Sequence, residues 1–139
     1  MPFPFQISEH VIDGQYIREY PRATAAPDSP LKLCIKQYTP IDNPNPQPGD
    51  VTIVATHGTG FPKELYEPLW EELLARLKQD GIRIRSIWMA DAANQGASGI
   101  LMKKTLEMTV SDPKRVFAIS RVADNPQLLG TIIVVMWCI

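Results

Sequence analysis

The chain contains 139 residues, enough for one domain with a hydrophobic core, because domains cluster at about 100–150 residues. Apolar residues make up 45% and charged residues 21%, which excludes an intrinsically disordered chain, and a net charge of −1 gives no basis for binding nucleic acid or an anionic membrane. Two cysteines exclude a disulfide-stapled scaffold and a four-cysteine zinc site. No spacing of His, Cys, Asp or Glu suggests a metal site, and we expect no cofactor.

The first fifty residues are divided into short extended pieces by nine of the 13 prolines. Val11–Tyr20 alternates loosely between apolar and polar residues and is predicted as a strand. Leu31–Tyr38 alternates more regularly, with apolar side chains on one face and lysines on the other, which predicts a half-buried strand. The proline-rich stretch Pro40–Asp50 is predicted as a loop.

A strand, a turn, a helix and a second strand follow. Val51–Thr56 is apolar or β-branched on both faces, which is typical of a central strand covered on both sides. After the glycine-rich turn His57–Pro62, a helix is predicted to begin near Glu67 and to end at Gly81, since Pro68 is tolerated only in a first turn. Its apolar stripe consists of Leu65, Tyr66, Leu69, Trp70, Leu73, Leu74 and Leu77. With the strand Ile82–Met89 these elements form a βαβ unit, and the fold class is α/β.

The last third of the chain has a different character. A second turn of small residues, Asp91–Gly99, follows the last strand of the βαβ unit. Beyond it we predict a short helix at Met102–Met108 and strands at Val116–Val122 and Thr131–Trp137. The rhythm of strand, turn and helix does not continue there.

The turn that begins at His57 allows several interpretations, because glycines let a backbone approach a ligand and a helix N-terminus favours negative charge. A dinucleotide site needs a third glycine at the position of Lys63. Asp91, which would bind the ribose, comes 33 positions after Gly58, whereas that motif has its acidic residue about 20 positions on. A P-loop needs Gly-Lys-Ser/Thr, which is absent. An oxyanion-hole loop after the third strand of an α/β-hydrolase and a purely structural turn remain.

The order of the elements resembles the N-terminal half of an α/β-hydrolase: two antiparallel strands, then a parallel βαβ unit. The run His57–Tyr66, followed by Trp88–Asp91, resembles fungal α/β-hydrolases of the peroxisomal-lipase-like and toxin-biosynthesis type, over about residues 8–101. The resemblance implies a partial α/β-hydrolase sheet and a small-molecule acyl substrate, cleaved at an ester, thioester or related bond.

The resemblance also implies where the site residues lie. The oxyanion-loop candidates are His57, Gly58, Thr59, Gly60 and Phe61, and the candidates in the loop after the next strand are Asp91, Gly96 and Ser98. Within the first loop we expect the backbone N–H of Thr59, or that of Phe61 in a longer loop, to face an acyl oxygen. His57 is expected to brace this loop.

A catalytic triad is not evident. A nucleophile elbow reads G-x-S-x-G, but around Ser98 the second glycine, Gly99, comes one position early, so we interpret Ser98 as a structural hydroxyl. The two histidines are His10, which we expect at the surface, and His57, so no histidine follows the candidate loops as a triad base would. We therefore expect this chain to be catalytically inactive.

The family-like sequence is expected to stop near Leu101, which divides the chain into an α/β-hydrolase part, residues 1–101, and a divergent tail, residues 102–139. A truncated or misjoined reading frame would produce such a tail. The uncharged, β-prone run Thr131–Trp137 is an aggregation hazard where it is exposed. We expect it to dock poorly on the sheet and to promote self-association.

The leading hypothesis is thus an α/β-hydrolase relative that holds the oxyanion-loop half without a triad. The alternatives are a non-catalytic binding or scaffold protein and, less favoured, a dinucleotide-binding βαβ unit. We expect no nucleic-acid partner and no membrane span, since the apolar run Leu128–Ile139 is too short. We expect a cytoplasmic location, because Met1–Phe5 is not a signal sequence and Trp137–Ile139 is not a peroxisomal tripeptide.

Overall fold

The computed structural model describes residues 2–14 and 31–103, together with the backbone of Ile132–Val135. The strands are β1 (Phe5–Asp13), β2 (Lys32–Pro40), β3 (Val51–Thr56), β4 (Ile84–Ala90) and β5 (Ile132–Val135). The helices are α1 (Glu67–Gln79), which follows a 3₁₀ turn at Lys63–Tyr66, and α2 (Gly96–Met102).

The five strands form one mixed sheet in the order β1-β2-β4-β3-β5. β1 and β2 pair antiparallel from Phe5↔Pro40 to Asp13↔Lys32, and β2 pairs antiparallel with β4. β3 lies parallel to β4, and α1 connects the two strands. The predicted fold class, two antiparallel strands followed by a parallel βαβ unit, is confirmed.

Both faces of the sheet are covered, as the apolar sequence of β3 predicts. All six residues of β3 are buried. On one face, Ile53 belongs to a core cluster with Trp70 of α1. On the opposite face, Val54 belongs to a second cluster, and Met102 of α2 packs beside Leu33 in a third. The two helices therefore lie on opposite faces of the sheet, and the ends of β3 and β4 lie between them.

Helix α1 begins at Glu67, as predicted, with Pro68 in its first turn. It ends in a Schellman motif: Gly81 has a φ of +73°, and the N–H of Ile82 donates to the carbonyl of Leu77 at 2.8 Å. The predicted apolar stripe is only partly buried. Trp70 is in the core, and Tyr66, Leu73, Leu74 and Leu77 pack against it, whereas Leu65 and Leu69 are 60% and 49% exposed.

Three predictions about single elements are corrected. The first strand, Phe5–Asp13, begins six residues before the predicted Val11–Tyr20, because its pairing with β2 begins at Phe5↔Pro40. Residues 15–20 of that prediction lie outside the described residues. His10, expected at the surface, is half-buried and stacks on Trp88 with ring centroids 5.2 Å apart. The predicted turn Asp91–Gly99 contains the start of α2.

The tail is also corrected where the structure describes it. The backbone of β5 pairs parallel with β3 from Thr52↔Ile132 to Ala55↔Val135. The prediction of poor docking is therefore wrong for these four residues, which occupy the edge of β3 that the βαβ unit leaves open. The strand predicted at Val116–Val122 and most of the helix predicted at Met102–Met108 lie outside the described residues.

Among the residues that the structure describes, no helix is both long enough and apolar enough to cross a membrane.

Candidate functional site

The candidate site lies where β3 and β4 end, because ligand sites of open α/β sheets lie at the carboxyl ends of parallel strands. His57 follows β3 directly and Asp91 follows β4 directly. Since the two strands are neighbours, with Thr56 opposite Ala90, the loops that follow them meet. The sequence-predicted site residues of both loops are thus brought together.

The glycine-rich segment forms a β-turn at Gly58–Phe61. The N–H of Phe61 donates to the carbonyl of Gly58 at 3.1 Å, and Gly60 has a φ of +81°. That φ belongs to the third position of a type II turn, which glycine adopts without strain, while β-branched Thr59 suits the second position. Thr59, Gly60 and Phe61 are exposed.

The amides of this turn differ in their partners. The N–H of Gly58 donates to the hydroxyl of Tyr66 at 3.0 Å, and the N–H of Gly60 donates to the side-chain oxygen of Gln95 at 2.8 Å. The N–H of Thr59 has no acceptor within the ranges described. Thr59 therefore presents the one unpaired amide of the turn, counted over these residues.

His57 joins the two loops through both ring nitrogens. Its Nε2 accepts the N–H of Ala92 at 3.1 Å, so that nitrogen carries no proton, and Nδ1 donates to the carbonyl of Gly58 at 2.9 Å. The ring is therefore the neutral Nδ1–H tautomer. Although Nε2 lies 3.7 Å from Oδ1 of Asp91, the tautomer makes this contact neither an ion pair nor a hydrogen bond.

Asp91 is the charged centre of the site. Its Oδ2 accepts a hydrogen bond from Nζ of Lys63 at 2.6 Å and one from the N–H of Ala97 at 2.9 Å. The side chains of Asp91 and Lys63 are only 1% and 6% exposed. Within the described residues, Oδ1 of Asp91 is buried and has no hydrogen-bond partner. A buried ion pair of this kind fixes one loop against the other, because separating it would leave uncompensated charges out of water.

Gly96 makes room for the Asp91 carboxylate. It has a φ of +55°, and a Cβ added there would lie 2.6 Å from Oδ2 of Asp91. Both the backbone conformation and the space exclude a side chain.

Ser98 is buried in α2, and its hydroxyl is engaged on both sides. Oγ accepts the N–H of Cys34 at 2.7 Å and donates to the carbonyl of Asp91 at 3.4 Å. Its exposure is 0%. In this position Ser98 ties β2 to the loop after β4, and it faces no open space in which a substrate would meet it.

A charged cluster borders the site on the α1 side. Nζ of Lys36 lies 2.8 Å from Glu64, and the hydroxyl of Tyr38 donates to Glu67 at 3.3 Å. Burial tends to lower the pKa of Lys36, but its hydrogen bond to Glu64 and the surrounding carboxylates raise it overall. Burial and the charge of Glu67 raise the pKa of Tyr38 well above its usual range.

Sequence reasoning missed three residues that hold the turn: Lys63, Tyr66 and Gln95. In the sequence, Lys63 breaks a dinucleotide motif and Tyr66 belongs to the helix stripe, and nothing predicts that either side chain holds the turn. A lysine in a proline-flanked turn gives a weak signal of its own. Its partner Asp91 lies 28 positions later, so only the packing of the sheet reveals the pair.

The described residues contain no group of three or more His, Cys, Asp or Glu side chains that would hold a metal ion.

Comparison with known proteins identifies the fold. The structure matches the peroxisomal alpha-beta-hydrolase Lpx1 of Saccharomyces cerevisiae with a TM-score of 0.71, covering 96% of this chain and 38% of that chain at 16% identity. In sequence, 108 residues are 50% identical to the type I acyl-CoA thioesterase mpaH' of Penicillium brevicompactum and 48% identical to its namesake mpaH of Penicillium roqueforti. This chain carries part of a fungal α/β-hydrolase fold.

The α/β-hydrolase segment is short beside its relatives. The match covers 77% of this chain but only 24% of each thioesterase, so the chain spans about a quarter of the length of the curated relatives it matches. No family model matches the chain.

Proposed function

We propose that this chain supplies the oxyanion-turn part of a hydrolase acting on acyl thioesters, and that these 139 residues alone do not hydrolyse them. The observation that carries the proposal is the N–H of Thr59, which has no acceptor among the described residues, in a turn whose other amide donors are engaged. A preorganised donor of this kind stabilises the negative charge that develops on an acyl oxygen. The substrate class follows from the relatives, which are named acyl-CoA thioesterases.

The expected inactivity rests on four features of the chain. The sequence contains no G-x-S-x-G elbow and no histidine after His57. The hydroxyl of Ser98 is buried, and both nitrogens of His57 are engaged in hydrogen bonds. Without nucleophile and base, donors and binding alone give only a small residual rate enhancement.

A fluorophosphonate probe tests the inactivity. The 139-residue chain should show no stoichiometric labelling of any serine and no release of free thiol from an acyl-CoA above background. Labelling that disappears in Ser98→Ala, with Ser111→Ala as the control, would contradict the proposal.

A chimera tests the hydrolase function itself. The aligned 108 residues replace the corresponding segment of the Penicillium brevicompactum thioesterase, which supplies the remainder of the fold. The chimera should release coenzyme A from an acyl-CoA. If it folds, as shown by a cooperative melt, and yet releases none, this segment lacks the proposed role.

The site favours a hydrolase over a dinucleotide-binding unit. The carboxylate that would have to bind a ribose, that of Asp91, is 1% exposed and bonded to Lys63. Lys63 itself occupies the position of the third glycine of that motif, where a helix should approach closely. A titration with NAD that shows saturable binding would reverse this preference.

A further inference from the structure

Gln95 stands out among the residues around the turn, because it belongs to the loop after β4 and yet bonds the backbone of the loop after β3. Its Oε1 accepts the N–H of Gly60 at 2.8 Å across 35 positions of sequence. The backbone of Gln95 is itself fixed, since its N–H donates to the carbonyl of Ala92 and its carbonyl accepts the N–H of Gly99 at 2.8 Å. The acceptor is therefore held on a rigid support.

The amide that Gln95 holds is the one that defines the turn. In the turn Gly58–Phe61, the central peptide joins Thr59 to Gly60, and type I and type II turns differ by a flip of that peptide. An acceptor fixed on the N–H of Gly60 therefore selects one of the two orientations. The φ of +81° at Gly60 corresponds to the selected type II form.

The same bond decides which amides remain available. With Gly58 bonded to Tyr66, Phe61 bonded to Gly58 and Gly60 bonded to Gln95, Thr59 alone keeps an unpaired N–H among the described residues of the turn. A flipped central peptide would instead release the N–H of Gly60 and point the carbonyl of Thr59 towards Oε1 of Gln95. The flip would also change ψ of Thr59, the residue that carries the proposed oxyanion donor.

We propose that Gln95 is a positioning residue, which locks the turn in the type II form and leaves the N–H of Thr59 as the single oxyanion donor of this loop. The oxyanion role rests on the proposed function. The lock itself is a property of the 139-residue chain and is measurable without any activity.

Amide hydrogen exchange of the ¹⁵N-labelled full chain tests the lock. In the unchanged chain the N–H of Gly60 should be protected relative to its rate in an unstructured peptide, and the N–H of Thr59 should not. Gln95→Ala should lower the protection of Gly60 by about 2- to 10-fold, the range expected for one hydrogen bond. Gln95→Glu, which keeps an oxygen acceptor at the same place, should restore it.

Asn94→Ala is the matched control, because Asn94 is the exposed neighbouring amide side chain. It should leave the protection of Gly60 unchanged. Equal protection of Thr59 and Gly60 in the unchanged chain would overturn the lock without any variant. The lock would also be overturned if Gln95→Ala left the exchange protection of the Gly60 N–H unaltered, or if Gln95→Ala and Asn94→Ala changed that protection equally.

The chimera described above separates this proposal from the proposed function. In an active chimera, Gln95→Ala should lower kcat about 10-fold or more and leave KM unchanged, since an oxyanion donor acts on the transition state. A chimera without activity, combined with the expected exchange pattern, would reject the oxyanion role and retain the lock. An active chimera whose kcat does not respond to Gln95→Ala would reject the positioning role.

Discussion

At the scale of single residues, the space around the Asp91 carboxylate is the most constrained part of the site. Its Oδ2 accepts hydrogen bonds from Nζ of Lys63 and from the N–H of Ala97. A Cβ added at Gly96 would lie 2.6 Å from the same oxygen. The residue types at positions 91 and 96 therefore depend on each other, although each is a common loop residue when read alone.

Gly96→Ala should be much more destabilising than Gly81→Ala. Both glycines have a positive φ, +55° and +73°, so both substitutions incur the left-handed penalty of about 1–2 kcal/mol. Only at Gly96 does the new Cβ collide with the carboxylate, whereas at Gly81 no heavy atom lies within 4 Å. Urea denaturation of the two variants measures the difference, and equal midpoints would show that the carboxylate moves aside at no cost.

At the scale of elements, the two loops after β3 and β4 are joined by bonds of different strength. The ion pair of Lys63 and Asp91 is buried, the bond of Gln95 to Gly60 is exposed, and His57 contributes one hydrogen bond to each loop. Because a buried charge without its partner is costly, the ion pair should dominate the stability of this junction.

Lys63→Met should destabilise the chain by about 3–5 kcal/mol, because it leaves the buried Asp91 carboxylate uncompensated. The matched control is Lys78→Met. Lys78 lies at the same 2.6 Å from Asp42, but the two side chains are 69% and 48% exposed. Removing an exposed pair costs about 0–1 kcal/mol.

A double variant completes this test. Adding Asp91→Asn to Lys63→Met removes both charges and should recover part of the loss in the urea midpoint. A Lys63→Met chain as stable as the Lys78→Met chain would mean that Asp91 is solvated when its partner is lost.

The loop before β3 should make the chain sensitive to acid. Burial tends to raise the pKa of Asp50, but hydrogen bonds from Asn43 and the N–H of Gln47, with the charge of Arg83, hold it below its ordinary value of 3.8. A carboxyl with a lowered folded pKa contributes stability above the unfolded value, and that contribution is lost as the pH falls through the folded value.

Asp50→Asn should therefore lower stability near neutral pH and reduce the further loss of stability below pH 3.8. Urea midpoints measured at a series of pH values give both effects. Asp80→Asn, at an exposed side chain, is the control and should follow the unchanged chain. An Asp50→Asn chain with the same loss of stability in acid would assign that loss to other groups.

The sequence predicts elements with strong periodicity and misses contacts between elements. β3 and the start of α1 are recovered because a doubly buried strand and a proline in the first helical turn leave clear local signals. The contact of Lys63 with Asp91 and that of Gln95 with Gly60 bridge 28 and 35 positions, and no local pattern encodes them. The start of β1 was missed because its partner strand, not its own alternation, determines where pairing begins.

At the scale of the whole molecule, both edges of β3 are paired with strands that come later in the chain. β4 pairs with one of its edges and β5 with the other. Without β5, the unpaired N–H and carbonyl groups of β3 would form an open edge, which recruits strands of other chains.

Val134→Pro should remove backbone pairing of β5, because proline has no N–H to donate and is not tolerated in the interior of a paired strand. We expect a lower melting temperature and concentration-dependent association, measured by calorimetry and sedimentation. Val134→Thr keeps the N–H and the β-branched shape, and is the control. A monomeric Val134→Pro chain with an unchanged melt would show that β5 adds nothing to the sheet.

The position of β5 also has a consequence for how the chain folds. Thr52 is paired with Ile132, which comes 80 positions later. Bringing together two segments so far apart in sequence costs loop-closure entropy before their pairing contributes any stability. Folding therefore slows as the number of such contacts increases. During synthesis, β3, α1 and β4 leave the ribosome before β5. Until β5 is available, the edge of β3 that faces away from β4 has no strand to pair with. The nascent chain is therefore most exposed to chaperones and to its own copies in that interval.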